Sequence, residues 1–158
     1  AAAPLALVAW LAAGDPAAIA DRDLYATCLA RAHEPLGREL ARLPLAHVRL
    51  ALSDAGAIPY FSDAWTLDLG GLDDRDIART RDRSPARVFG RGVNALILVS
   101  ARSARFAPFD WNAYEGRLYA AAVARGWRRV ALRRFHAGYW LWVLAPRGSP
   151  LTRLAGGP

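Results

Sequence analysis

The chain has 158 residues, 54% of them hydrophobic, with six Trp, one Cys and a formal net charge of +7. That length and apolar content fit one domain with a proper core and exclude a disordered chain, while the lone Cys28 excludes an internal disulfide and reads as a buried, inert thiol. All 21 basic residues are Arg and no basic-aromatic motif of a known module accompanies them, so the arginines are assigned to solvated faces and nucleic acid is not an expected partner.

In chain order, the first stretch is AAAPLALVAWLAA. It is shorter than the ~20 apolar residues a bilayer span needs. It also has no positive segment before it, so it is not a whole signal peptide. Residues 1–16 are read as the remnant of a transmembrane helix or leader, with an Ala-rich surface helix as the alternative. The absence of methionine is read as a chain that is processed or cut from something larger.

From Ala17 to Leu43 apolar residues recur at spacings of three and four, including Leu24, Cys28, Ala32, Leu36 and Leu40, which predicts a helix with one apolar stripe. Pro35 clashes with a helix interior, so a break is expected near His33-Glu34 with Pro35 opening a second helix. Val48–Leu52 and Trp65–Leu69 are short apolar strands around a turn or two of helix at Ala55–Ser62. Asp73, Asp74 and Asp76 precede Ile77-Ala78-Arg79, acid early and base late, as a helix dipole favours. Ala86–Gly92 is a short helix or turn, and Ala95–Val99 is a central strand. Asp110 is placed as the cap of a helix that runs to Arg125 and stops at Gly126. Trp127–Phe135 and Tyr139–Leu144 are strands joined at His136-Ala137-Gly138. Residues 147–158 are read as a loose tail.

This alternation implies one α/β domain over residues 17–146. Its sheet is mixed, mostly parallel and flanked by helices, and it closes with a C-terminal antiparallel β-hairpin.

Both early strands end in a carboxylate near glycine, at the sheet edge where open α/β folds build their sites. Asp54 and Asp68 are therefore a candidate pair. Such carboxylates do acid–base work, hold a divalent ion, or accept backbone N–H groups and pin the turns, and the last reading is preferred. Ser53 sits between strand and helix, but its context is A-L-S-D-A, with alanines where G-x-S-x-G has glycines. His136 reaches it only if the hairpin folds over that edge. A strand-end serine that caps the next helix is the simpler reading. Neither Ser53-Asp54-Ala55-Gly56 nor Gly70-Gly71 is a phosphate loop. His33, His47 and His136 lack metal spacing, and His33 and His47 are read as surface or end-of-element residues. Trp140 and Trp142 share one face, either as core or with one of them as a sugar platform. No metal or cofactor is expected.

The string D-A-G-A-I-P-Y-F-S, Asp54 to Ser62, precedes L-D-L-G-G-L-D-D-R-D-I-A, Leu67 to Ala78. Together they resemble a signature of bacterial polytopic membrane glycosyltransferases of the GT-C type, D-x-G-x-[IL]-x-Y-[YF]-S followed by [IL]-D-x-x-G-L-x-D-x-x-I-A. In that family the signature lies in a soluble domain after the last membrane helix. The resemblance implies an extracytoplasmic C-terminal domain, non-catalytic alone because the catalytic carboxylates lie in loops between membrane helices. Its implied partners are its own transmembrane part, a glycan or lipid-linked sugar, and an anionic membrane surface. The residues expected at a ligand are Asp54, Gly56, Tyr60, Asp68 and Gly71. The rival readings are a soluble Rossmann-like nucleotide-binding or small-molecule enzyme domain, and a purely structural or partner-docking domain.

Overall fold

The computed structural model describes residues 16–154. The reading of the first fifteen residues as a membrane or leader remnant, and that of the last four as loose tail, fall outside them.

The chain opens with α1 (Pro16–Cys28), a π-helical turn (Leu29–His33) and α2 (Glu34–Ala41). The break expected at His33-Glu34 is absent. Backbone angles stay helical through both residues, and the Glu34 N–H reaches back five residues to the Leu29 carbonyl. The wider turn carries the helix past Pro35, whose ring and missing N–H would break a regular α-helix.

Strand β1 (Arg49–Leu52), α3 (Ala57–Ser62) and β2 (Trp65–Asp68) follow. Next come α4 (Arg75–Thr80), α5 (Pro85–Gly90) and β3 (Ala95–Ser100). A 3-10 turn (Asp110–Asn112) leads into α6 (Tyr114–Ala124), then β4 (Arg128–His136) and β5 (Tyr139–Ala145). Asp110 opens the 3-10 turn but makes no side-chain cap there. Gly138, at φ +75°, supplies the left-handed position that the tight hairpin turn needs.

The five strands form one sheet in the order β2-β1-β3-β5-β4. β1 pairs parallel with β2 and β3, while β5 pairs antiparallel with β3 and β4. The central strand β3 is buried on both faces, which explains its unbroken apolar run, while the edge strand β4 keeps Arg128 and Arg134 exposed. Leu50, Leu52, Ile97, Val99 and Val143 point to one face, against Leu36 and Leu40 of α2 and Ile58 of α3. Ala51, Leu67, Leu96, Leu98 and Leu144 point to the other, against Ile77, Val88 and Leu118 of α4, α5 and α6. The period of two along each strand assigns alternate residues to the two cores.

The segment after Pro146 is not loose as far as Leu154. A 3-10 turn (Pro150–Arg153) returns Leu151 and Leu154 to the first core, where both are buried. Ser149 caps it by accepting from the Leu151 N–H.

Candidate functional site: a cleft at the strand switch point

The chain leaves β1 through α3 on one face and enters β3 from α5 on the other. β1 and β3 are nevertheless neighbours. Between them the strand order switches direction, and a crevice opens outside their C-terminal ends. β5 runs antiparallel to β3, with Trp140 opposite Ser100, so the β4–β5 hairpin tip also lies at this edge. A cleft of about 320 Å3 results. Ser53 and Asp54 from the end of β1 line it, with Phe135, His136 and Tyr139 from the hairpin. Tyr25 of α1 and Trp111 of the 3-10 turn complete the wall.

Aromatic side chains dominate this wall. Tyr25, Phe135, Tyr139, Phe109 and Trp111 form a chain of rings with successive centroids 5.5, 5.0, 5.5 and 5.3 Å apart. Trp111 lies nearly parallel to Phe109 yet remains 66% exposed, so its outer face is free for a ligand.

The polar groups are held from behind. His33 is fully buried, not at the surface as its sequence position suggests, because the widened turn rotates it inward against Phe135. Its Nε2 lies 2.9 Å from Oδ2 of Asp54, but off the line of an N–H bond, and neither ring nitrogen makes a hydrogen bond. The Asp54 side chain is 26% exposed and also receives a long 3.4 Å hydrogen bond from the Tyr139 hydroxyl. Burial, then the Asp54 charge, push the Tyr139 phenol upward, and the same two causes raise Tyr25.

Ser53 belongs to a second network. Its hydroxyl donates to Oε1 of Glu115 at 2.6 Å and shares a 2.7 Å hydrogen bond with the Tyr114 hydroxyl. Oε2 of Glu115 accepts from the Val99 N–H at 2.7 Å. Burial raises Glu115 to about 7, against the pull of the Ser53 and Val99 hydrogen bonds, and lifts Tyr114 to about 12. Ser53 therefore bonds to a carboxyl group and a phenol, with no histidine partner. His136, although at the same edge, directs Nδ1 to the Ala137 carbonyl at 2.8 Å. This is not the base–nucleophile contact of a hydrolase.

Of the five expected ligand residues, only Asp54 lines the cleft. Asp68 follows the neighbouring strand, yet it is buried and fully engaged in its own loop. Its Oδ1 accepts from Gly70 N–H at 2.7 Å and its Oδ2 from Asp73 N–H at 2.9 Å. Gly71 sits at φ +84°, and a Cβ there would lie 3.1 Å from the Ala78 nitrogen. The next signature carboxylate, Asp74, caps α4 through the Asp76 and Ile77 N–H groups. The second half of the signature thus builds a turn. Gly56 opens α3 with open space around it, and Tyr60 is 81% exposed on α3 beside Phe61. Trp142 is core, closing its indole N–H onto the Arg102 carbonyl at 3.0 Å, and Trp140 is half-buried.

A larger, shallow depression of about 760 Å3 lies at the opposite sheet edge, around His47, Asn94 and residues 146–153. Its inner polar groups are already used. Asn94 bridges the His47 carbonyl and the Arg49 N–H, and Ser149 caps the last turn. It offers structure rather than chemistry.

Sequence reasoning missed Glu115, His33, Tyr25, Trp111 and Tyr139 as parts of the site. Glu115 left a signal, as the only acid in the otherwise apolar and basic helix YEGRLYAAAVA. The others are named only by tertiary contact.

Fold and cleft together define an α/β domain with a mixed five-stranded sheet and an aromatic, carboxylate-bearing pocket at its switch point. Residues 23–146 match the family described as a domain of unknown function, DUF8728, and the chain belongs to that family. No curated protein and no solved structure matches it. No helix among the described residues is long and apolar enough to cross a membrane.

Proposed function

We propose that this is a sugar-positioning domain, non-catalytic alone, of a membrane glycosyltransferase-like protein. In this reading the switch-point cleft seats a glycan or lipid-linked sugar on the extracytoplasmic side, and the domain braces the membrane part. The observation that carries it is Trp111, exposed and stacked on Phe109 at the rim of a cleft that also presents Asp54 and Ser53. A sugar ring needs that combination: a flat apolar face for its C–H groups, and oxygens that accept from its hydroxyls. The signature between Asp54 and Ala78 supplies the link to the glycosyltransferases.

The test is saturation-transfer NMR on the 158-residue chain with a panel of monosaccharides and polyprenyl-phosphate sugars. Transfer to a sugar, abolished in Trp111→Ala, is the expected result. No transfer to any of them overturns the sugar-seating reading. The membrane half is tested on the complete reading frame, which should encode several apolar spans before Ala1; a frame without any removes it.

A further inference from the structure

We infer that the cleft selects a cationic amine, so that, if the sugar reading above holds, the sugar it seats is an amino sugar. The chain carries 21 arginines, yet none of the residues lining this cleft is Arg. The one carboxylate among the described residues that line it is Asp54, whose side chain is 26% exposed and whose Oδ2 lies 2.9 Å from the buried Nε2 of His33, off the line of a hydrogen bond.

The walls add the same preference. Aromatic faces carry negative quadrupole potential and attract a cation within about 6 Å of the ring centre. Here Tyr25, Phe135, Tyr139 and Trp111 line the same cleft as the carboxylate. Elsewhere in this protein such faces are covered by its own arginines: Arg49 lies 3.7 Å from the centre of Trp65, Arg125 4.1 Å from Phe89 and Arg129 4.5 Å from Trp142. The cleft sets four aromatic side chains and Asp54 along one wall. An ammonium group meets rings and a carboxylate here.

Two sources supply that chemistry, an amine on a sugar and the quaternary ammonium of a lipid headgroup. The experiment separates them by calorimetric titration of the 158-residue chain with two matched pairs. Choline is compared with its neutral isostere 3,3-dimethylbutan-1-ol, and glucosamine with glucose. The expected result is that each cation binds roughly tenfold tighter than its neutral partner. In Asp54→Asn that ratio should collapse toward one, while the variant's melting transition stays cooperative. Trp111→Ala, at an exposed position, should weaken the cations without touching the fold. Equal binding of glucose and glucosamine, with choline no better than its isostere, overturns the amine inference and leaves the sugar reading standing. Tight choline with neither sugar bound sustains the amine inference and removes the sugar reading. Binding of none of the four overturns both.

Discussion

The Ser53 hydroxyl and the Glu115 carboxylate, 62 residues apart, meet at 2.6 Å. The bond ties the end of β1 to the first turn of α6, and Glu115 fastens the same helix to β3 through the Val99 N–H. One buried acid thus clamps the two strands that flank the cleft. Its burial has a cost that depends on pH.

Glu115 shifts from an ordinary 4.5 to about 7 in the folded protein. The folded state therefore holds its proton where the unfolded chain has lost it. This group's contribution to stability is full below about pH 4.5, declines as pH rises to about 7, and is flat above. The decline is about 3 kcal/mol at most. Glu115→Gln keeps an acceptor for Val99 N–H and turns its amide to the Ser53 oxygen, so it should fold. Urea unfolding across this range should show native protein losing stability relative to that variant. A difference that does not change with pH contradicts the assignment.

His33 is fully buried and hydrogen-bonds through neither ring nitrogen, but its Nε2 lies 2.9 Å from Oδ2 of Asp54. Leucine there removes that polar contact and leaves the half-buried carboxylate without it, so His33→Leu should destabilise by about 1–2 kcal/mol. It should also weaken ligand binding, because the side chain behind Asp54 is gone. Lost stability with unchanged binding would mark His33 as packing alone.

Asp54 and Asp68 end adjacent strands but should behave oppositely. Asp68→Asn puts an amide against one of the two N–H groups now bonded to the carboxylate, at a cost of about 2 kcal/mol, with ligand affinity preserved in the folded fraction. Asp54→Asn should cost little stability and most of the affinity. Thermal melts and titrations on the two variants decide it. Parallel behaviour would mean that the carboxylates share one role.

Gly37 marks where α2 crosses α3. A Cβ there would lie 2.9 Å from the Ile58 carbonyl oxygen and 2.9 Å from Cβ of Phe61. Backbone cannot yield as a flexible side chain does, so Gly37→Ala should destabilise by about 1–3 kcal/mol despite alanine's better helix propensity. A stabilised variant would show that the helices are free to separate.

The fold was legible because its signals are local. Ala95–Val99 reads as a central strand from its unbroken apolar run, and the hairpin from two aromatic and apolar strands around Gly138. The edge was legible too, since Ser53 and Asp54 follow a strand and precede glycine. The site was not. Asp68 and Asp54 look alike in sequence, and only the loop geometry shows that one carboxylate is consumed by Gly70 and Asp73. His33 looks like a residue at a proline break until the π-helical turn rotates it beneath Asp54. Tyr25, Trp111 and Tyr139 come from three separate elements, and no periodicity links them. Sequence period reports which face a residue takes within one element; it carries nothing about which elements converge.

The central claim is that ligand enters at the end of β1, between Asp54 and the Trp111 ring. Its most direct test is a map of amide and Trp-indole shift changes during sugar and amine titrations of the isotope-labelled chain. The account predicts changes concentrated on Ser53, Asp54, the Trp111 indole, His136 and Tyr139, with residues around His47 and Arg153 silent. Changes centred on that opposite edge, or an unmoved Trp111 indole at saturation, would contradict it.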